Sequence, residues 1–286
     1  MIGKFFPTRN KLLAVLEVLL LIFVFVPFLT LGIYHFLPGF ESWQIETLGF
    51  PFPVFSHVVM VGLSLLFIAI RRKKLTDYGI TFQNPKYHLD IVGVCFIPVL
   101  LAGTPLGMGV DHTTWNGAFI LAALQIVLLL IIGLILRKKT TYPGVGLSVG
   151  AILLFPLTGT AEGIAGKAIV FFLTYALFVG FGEEILYRGY MQSRLNEVFG
   201  KPYHFFGVAF GWGTILTALF FGFTHVGILS YVLGLSTNIT LAWGFWTFFG
   251  GLVFGFVREK SDSILAPALL HGLPQAIAEV TALFFF

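Results

Sequence analysis

The chain has 286 residues, of which 57% are hydrophobic and only 10% charged, against roughly 25% charged in an average soluble domain. There are 17 Lys and Arg against 13 Asp and Glu, a net charge of +4, together with 34 Phe. A soluble fold of this length could not hide so much apolar surface, and one cysteine, Cys95, permits neither an intrachain disulfide nor a cysteine-based metal cluster; soluble enzyme, nucleic-acid binder and disordered chain are all excluded.

Segments without Asp, Glu, Lys or Arg run over 18–40, 47–70, 91–110, 112–136, 140–161 and 202–257. A spanning helix needs about 20 mostly apolar residues, so the first five each hold one span and the last holds two. Shorter gaps at 168–182 and 263–278 become spans once their flanks are added. The pattern predicts nine helices, near 12–37, 51–70, 88–108, 115–136, 145–163, 167–188, 212–234, 239–257 and 263–285. The fold class is therefore all-α, a polytopic transmembrane bundle of eight or nine spans around a polar cavity. No segment alternates apolar and polar residues, which excludes a closed β-barrel.

Residues 1–165 hold little but apolar spans and read as a scaffold; Glu17, His35, His57, His88 and Asp90 fall near span ends, where polar side chains cost little. Residues 189–206 carry Arg194, Glu197 and Lys201 among Tyr190, Val198 and Phe199. That mixture suits an amphipathic stretch lying along the inner interface. The next span then starts near 212, which puts His225 near mid-membrane. With the N-terminus inside, 16 of the 17 Lys and Arg collect on the inner side, and only Lys167 lies outside. The excess positive charge thus sets topology.

Polar residues inside spans are costly and usually have a partner or a task. Glu183 and Glu184 stand together in FVGFGEEILYRGY, with Arg188 one turn beyond Glu184, a spacing that permits an ion pair. Glu183 points about 100° away from Glu184 and stays available for other chemistry. Phe221 and His225 stand at i, i+4 in the seventh span. His271, Gln275 and Glu279 stripe one face of the ninth, where Pro267 and Pro274 bend the helix and free backbone carbonyls. A structural ion pair and a polar stripe gluing helices together would also account for these residues. Gly251 and Gly255 form a GxxxG packing motif.

Two chemistries fit the set. Glu183 can act as general base toward water, aided by His225, with His271 and Gln275 donating hydrogen bonds to the oxyanion of a peptide carbonyl. Alternatively Glu183, His225 and His271 hold a zinc ion that activates the water, although the helical H-E-x-x-H signature is absent. Ser193, Ser230 and Ser236 lack a histidine–acid pair at local spacing.

Together, E-E-x-x-x-R (Glu183, Glu184, Arg188) followed by Gly189 and Tyr190, F-x-x-x-H (Phe221, His225), and the element Pro267, His271, Gln275 resemble the CAAX protease and bacteriocin-processing (CPBP) family, which includes the Ras-converting CAAX endopeptidases. The resemblance covers roughly 165–286. It implies a catalytic core at 166–286 behind scaffold helices at 1–165. It also implies an intramembrane glutamate endopeptidase that needs no cofactor, in which Glu183 and His225 activate water and His271 stabilises the oxyanion. Glu184, Arg188, Phe221 and Gln275 would support them. Where the family's third motif usually ends in Asn or Asp, Gln275 keeps the amide and adds a methylene. The expected partners are the lipid bilayer and a peptide or membrane-protein substrate, lipidated or not, and no nucleic acid. The expected location is a prokaryotic plasma membrane, with several spans and a cytoplasmic N-terminus. The competing function is a non-catalytic membrane regulator, or an immunity-type protein that binds partner membrane proteins. A proton-coupled transporter is disfavoured by the lack of paired halves.

Overall fold

The computed structural model describes residues 9–48, 54–137, 164–227 and 239–285. Among these the chain is helical almost throughout: α1 (Arg9–Phe36), α2 (Gly39–Leu48), α3 (Val54–Ile70), α4 (Pro85–Gly107), α5 (Trp115–Arg137), α6 (164–199), α7 (Trp212–His225), α8 (Leu241–Ser261) and α9 (Leu265–Phe285). Five helices are long and apolar enough to cross a membrane: Arg9–Phe36, Pro85–Leu106, Trp115–Arg137, Ala168–Phe199 and Leu241–Ser261; Val54–Ile70 is apolar but shorter. The protein is an all-α integral membrane bundle. The expected span at 145–163, and the part of the seventh span from 228 to 234, lie outside the described residues.

Apolar side chains cover its outer surface. Ile97 and Leu101 on α4, and Phe119, Ile126, Leu130 and Leu134 on α5, are all exposed. In water such a surface would aggregate, whereas in lipid it meets a matching solvent and leaves helix association to close packing. Small residues provide that packing. A β-carbon on Gly180 of α6 would stand 2.7 Å from the Ala268 carbonyl of α9, and one on Gly272 of α9 would stand 2.8 Å from the Ala176 carbonyl. On the GxxxG face, Gly251 meets Ala218 and Gly255 meets Thr214, so α8 lies directly on α7. Gly272→Val is expected to push α6 and α9 apart and cost about 1–3 kcal/mol, read as a fall in melting temperature in detergent. Gly250→Ala meets nothing within 4 Å and should leave the melting temperature unchanged; equal losses in the two variants would contradict this packing.

Segment 189–206 does not start a new helix. It continues α6 to Phe199, because Gln192 and Arg194 find buried polar partners there. Gly200, at φ 70, ends the helix. A short antiparallel hairpin follows, Tyr203–Phe205 paired with Val208–Phe210, whose two-residue turn Phe206–Gly207 has both φ values positive. It is the only sheet among the described residues.

Ions join the first turns of α1 to the C-terminal ends of α3 and α6. Glu17 accepts from Arg194 Nε at 3.0 Å and from the Tyr190 hydroxyl, and it faces Arg71 Nη1 at 3.6 Å. Arg71 also reaches Glu197 at 2.8 Å. Glu17 therefore clamps the first helix to the sixth rather than simply marking a span end.

Candidate active site

The helix that presents the paired carboxylates is not a regular α-helix. Thr174–Glu183 and Ile185–Met191 are wound as π-helix, the wider winding that recurs at functional sites. Glu183 and Glu184 sit where the two stretches meet.

Glu184 and Arg188 are both 0% exposed. Arg188 Nη1 donates to Glu184 Oε1 at 2.8 Å, and Nη2 donates to the Gly251 carbonyl of α8 at 3.2 Å. The guanidinium also lies 4.6 Å from the centroid of the Phe221 ring and 5.6 Å from that of Phe254. A charge so thoroughly removed from water is tolerable only with a carboxylate, a carbonyl and aromatic faces around it. Phe221 thereby acquires a definite task, a cation–π wall for Arg188, and its ring also meets those of His225 and His271 at 4.5 and 5.9 Å.

His271 Nδ1 lies 3.0 Å from Glu184 Oε1, and its ring stacks on Phe254 with centroids 4.6 Å apart. A carboxylate flanked by Arg188 accepts, so Nδ1 carries a proton and Nε2 is aimed across the site. There it faces Glu183 Oε2 at 3.9 Å. That oxygen is buried and makes no hydrogen bond among the described residues. Glu184 thus orients the histidine, while Glu183 keeps one oxygen for other work.

His225 closes α7. Its Nδ1 lies 2.7 Å from the Phe221 carbonyl, which can only accept, so Nδ1 holds the proton and Nε2 is left as an acceptor. Its ring packs against Trp243 at 5.4 Å, and it lies within electrostatic reach of Glu183 and His271. Gln275 is one turn beyond His271 on α9 and is exposed.

One neighbour was not visible in the sequence. His57, on α3 and 126 residues before Glu183, places Nε2 3.3 Å from Glu183 Oε1. Nothing in its surroundings, FPVFSHVVM, distinguishes it from a structural histidine near a span end. Only the packing of α3 against the π-wound part of α6 brings the two together.

Among the described residues no three His, Cys, Asp or Glu side chains converge to hold a metal ion. Nδ1 of His271 is held by Glu184 and Nδ1 of His225 by a backbone carbonyl, which leaves Nε2 of each histidine free for a substrate, a water or an ion.

Residues 165–277 match the family described as type II CAAX prenyl endopeptidase Rce1-like. Neither a curated protein nor a solved structure matches the chain. The matched segment contains Glu183, Glu184, Arg188, Phe221, His225, His271 and Gln275, and it ends before the last turns of α9. The domain at residues 165–277 thus belongs to the CAAX protease (CPBP) family of endopeptidases.

Proposed function

We propose that this protein hydrolyses a peptide bond inside the membrane, near its cytoplasmic face, with water activated by Glu183. The observation that carries the reading is the opposition of Glu183 Oε2 and His271 Nε2 at 3.9 Å. That separation is too long for a direct hydrogen bond and short enough for one water to touch both groups.

The proton sequence follows from the hydrogen bonds. Glu183 takes a proton from water as its oxygen bonds to the carbonyl carbon. His225, neutral and accepting at Nε2, holds the water's other hydrogen and so fixes its direction of attack. His271 keeps Nδ1–H on Glu184, which points Nε2 at the oxyanion, and a proton carried on that nitrogen is the one donated. When the C–N bond breaks, Glu183 returns its proton to the leaving amine. No metal is needed at any step. The basic residues support the inward placement: Gly251, which receives Arg188, is seven residues from Arg258, or about 10 Å along α8.

The substrate class is a membrane-presented peptide with a lipidated or otherwise apolar C-terminal region. Purified protein in detergent should release the terminal tripeptide from a farnesylated peptide ending Cys-aliphatic-aliphatic-X, with product masses giving the bond cut and a chelator leaving the rate unchanged. Loss of activity on chelation, restored by zinc, would overturn the glutamate mechanism. Absence of cleavage would overturn the hydrolase reading.

Gln275 completes the proposal as a second oxyanion donor from the face carrying His271. Gln275→Asn should hold kcat close to wild type, whereas Gln275→Leu should lower it by about 100-fold, the cost of one such donor. An unchanged kcat in the leucine variant would remove Gln275 from the site.

A further inference from the structure

We propose that His57 is a positioning residue of the active site, contributed by the N-terminal helices outside the family match, and that it holds Glu183 by one oxygen so that the other faces the water. The inference rests on the glutamate mechanism above and adds to it a residue that the motifs do not contain.

Three observations converge. The first is direct contact, with His57 Nε2 at 3.3 Å from Glu183 Oε1 and the histidine 4% exposed. The second is the tautomer. The Glu183 carboxylate can only accept, so Nε2 carries the proton, and the Ser56 hydroxyl, 3.3 Å from Nδ1, is placed to donate to the other ring nitrogen. The third is the room made for the ring. The residue before the glutamate is Gly182, and a β-carbon there would stand 3.2 Å from His57 Cβ and Cδ2. A side chain at that position would press on the imidazole that Glu183 meets.

The chemical consequence concerns the two oxygens of Glu183. An unheld carboxylate turns about its last torsion and presents either oxygen equally. With Oε1 engaged by His57, Oε2 is fixed toward His271. A base held in this way starts each turnover in the attacking geometry, and small misplacements of such groups cost large factors in rate. His57 gains and loses no proton in this scheme.

The test measures cleavage of the farnesylated peptide and melting temperature in detergent for wild type, His57→Ala, His57→Gln, Glu183→Gln and the double variant His57→Ala/Glu183→Gln. His57→Ala should lower kcat by about 100-fold while KM changes by less than about threefold, because the substrate is bound but the base is misplaced. His57→Gln, which retains an N–H donor, should recover about tenfold of the loss. The double variant should be no slower than Glu183→Gln alone. The proposal is overturned if His57→Ala keeps more than half of the wild-type kcat, or if the alanine and glutamine variants lose kcat equally and in step with melting temperature. If wild-type protein cleaves nothing, the hydrolase reading fails by itself, and the melting data decide on the contact. Additive losses from His57→Ala and Glu183→Gln would show that His57 does not hold Glu183, and non-additive losses that it does.

Discussion

Arg188→Leu is expected to destabilise the protein by about 3–5 kcal/mol, measured as unfolding in detergent micelles. The cause is the partner left behind. Glu184 is 0% exposed, and without Arg188 its carboxylate keeps only His271 while Oε2 is already without a hydrogen bond among the described residues. The Gly251 carbonyl and the rings of Phe221 and Phe254 lose the guanidinium as well. Removing both charges together is the informative control. In Glu184→Met/Arg188→Leu no ion is stranded, so much of the stability should return. Activity should not return, because His271 loses the acceptor that orients it. A single variant as stable as wild type would mean that the pair is not buried as described.

Glu183→Gln is expected to have the opposite signature, with activity lost and the fold kept. Removing the general base should lower kcat by about 10³–10⁴-fold. The amide is nearly isosteric, and its oxygen can still accept from His57. Glu183 has 14% of its side chain exposed and no arginine partner to strand among the described residues. The melting temperature should therefore stay near that of wild type. The two neighbouring carboxylates thus separate on two axes, one chemical and one structural, although they are adjacent in sequence and equally charged.

Why the sequence revealed one half of this site and hid the other follows from how each contact is encoded in the chain. Charge in an apolar span is conspicuous, so Glu183, Glu184 and Arg188 stood out, and the i, i+4 spacing already implied the ion pair that forms at 2.8 Å. His225 and His271 were legible for the same reason. The contact between His57 and Glu183 joins residues 126 apart and depends on which helix packs on which, something that hydropathy does not encode. The division of labour within the glutamate pair was legible only in part. Regular α-helical geometry separates the two side chains, but the π-wound turns of α6 set where each one points. The hairpin after Phe199 was missed because a short ribbon rich in Phe reads like any apolar or interfacial segment. Its signal lay in Phe206–Gly207, a turn pair between two aromatic runs.

The N-terminal helices emerge as more than packing material. Glu17 ties α1 to α6 through Arg194 and Tyr190, and Arg71 at the end of α3 ties both to Glu197. These ions anchor α3 at one end while His57 meets Glu183 near the other. The family domain alone, residues 165–277, lacks all three of these residues.

The most direct measurement compares Glu183→Gln and Glu184→Gln side by side, recording the rate of peptide cleavage and the melting temperature of each purified protein. The glutamate mechanism predicts that Glu183→Gln melts like wild type and does not cleave, whereas Glu184→Gln melts lower and loses activity with its fold. Cleavage at the wild-type rate by a well-folded Glu183→Gln protein would contradict the mechanism outright.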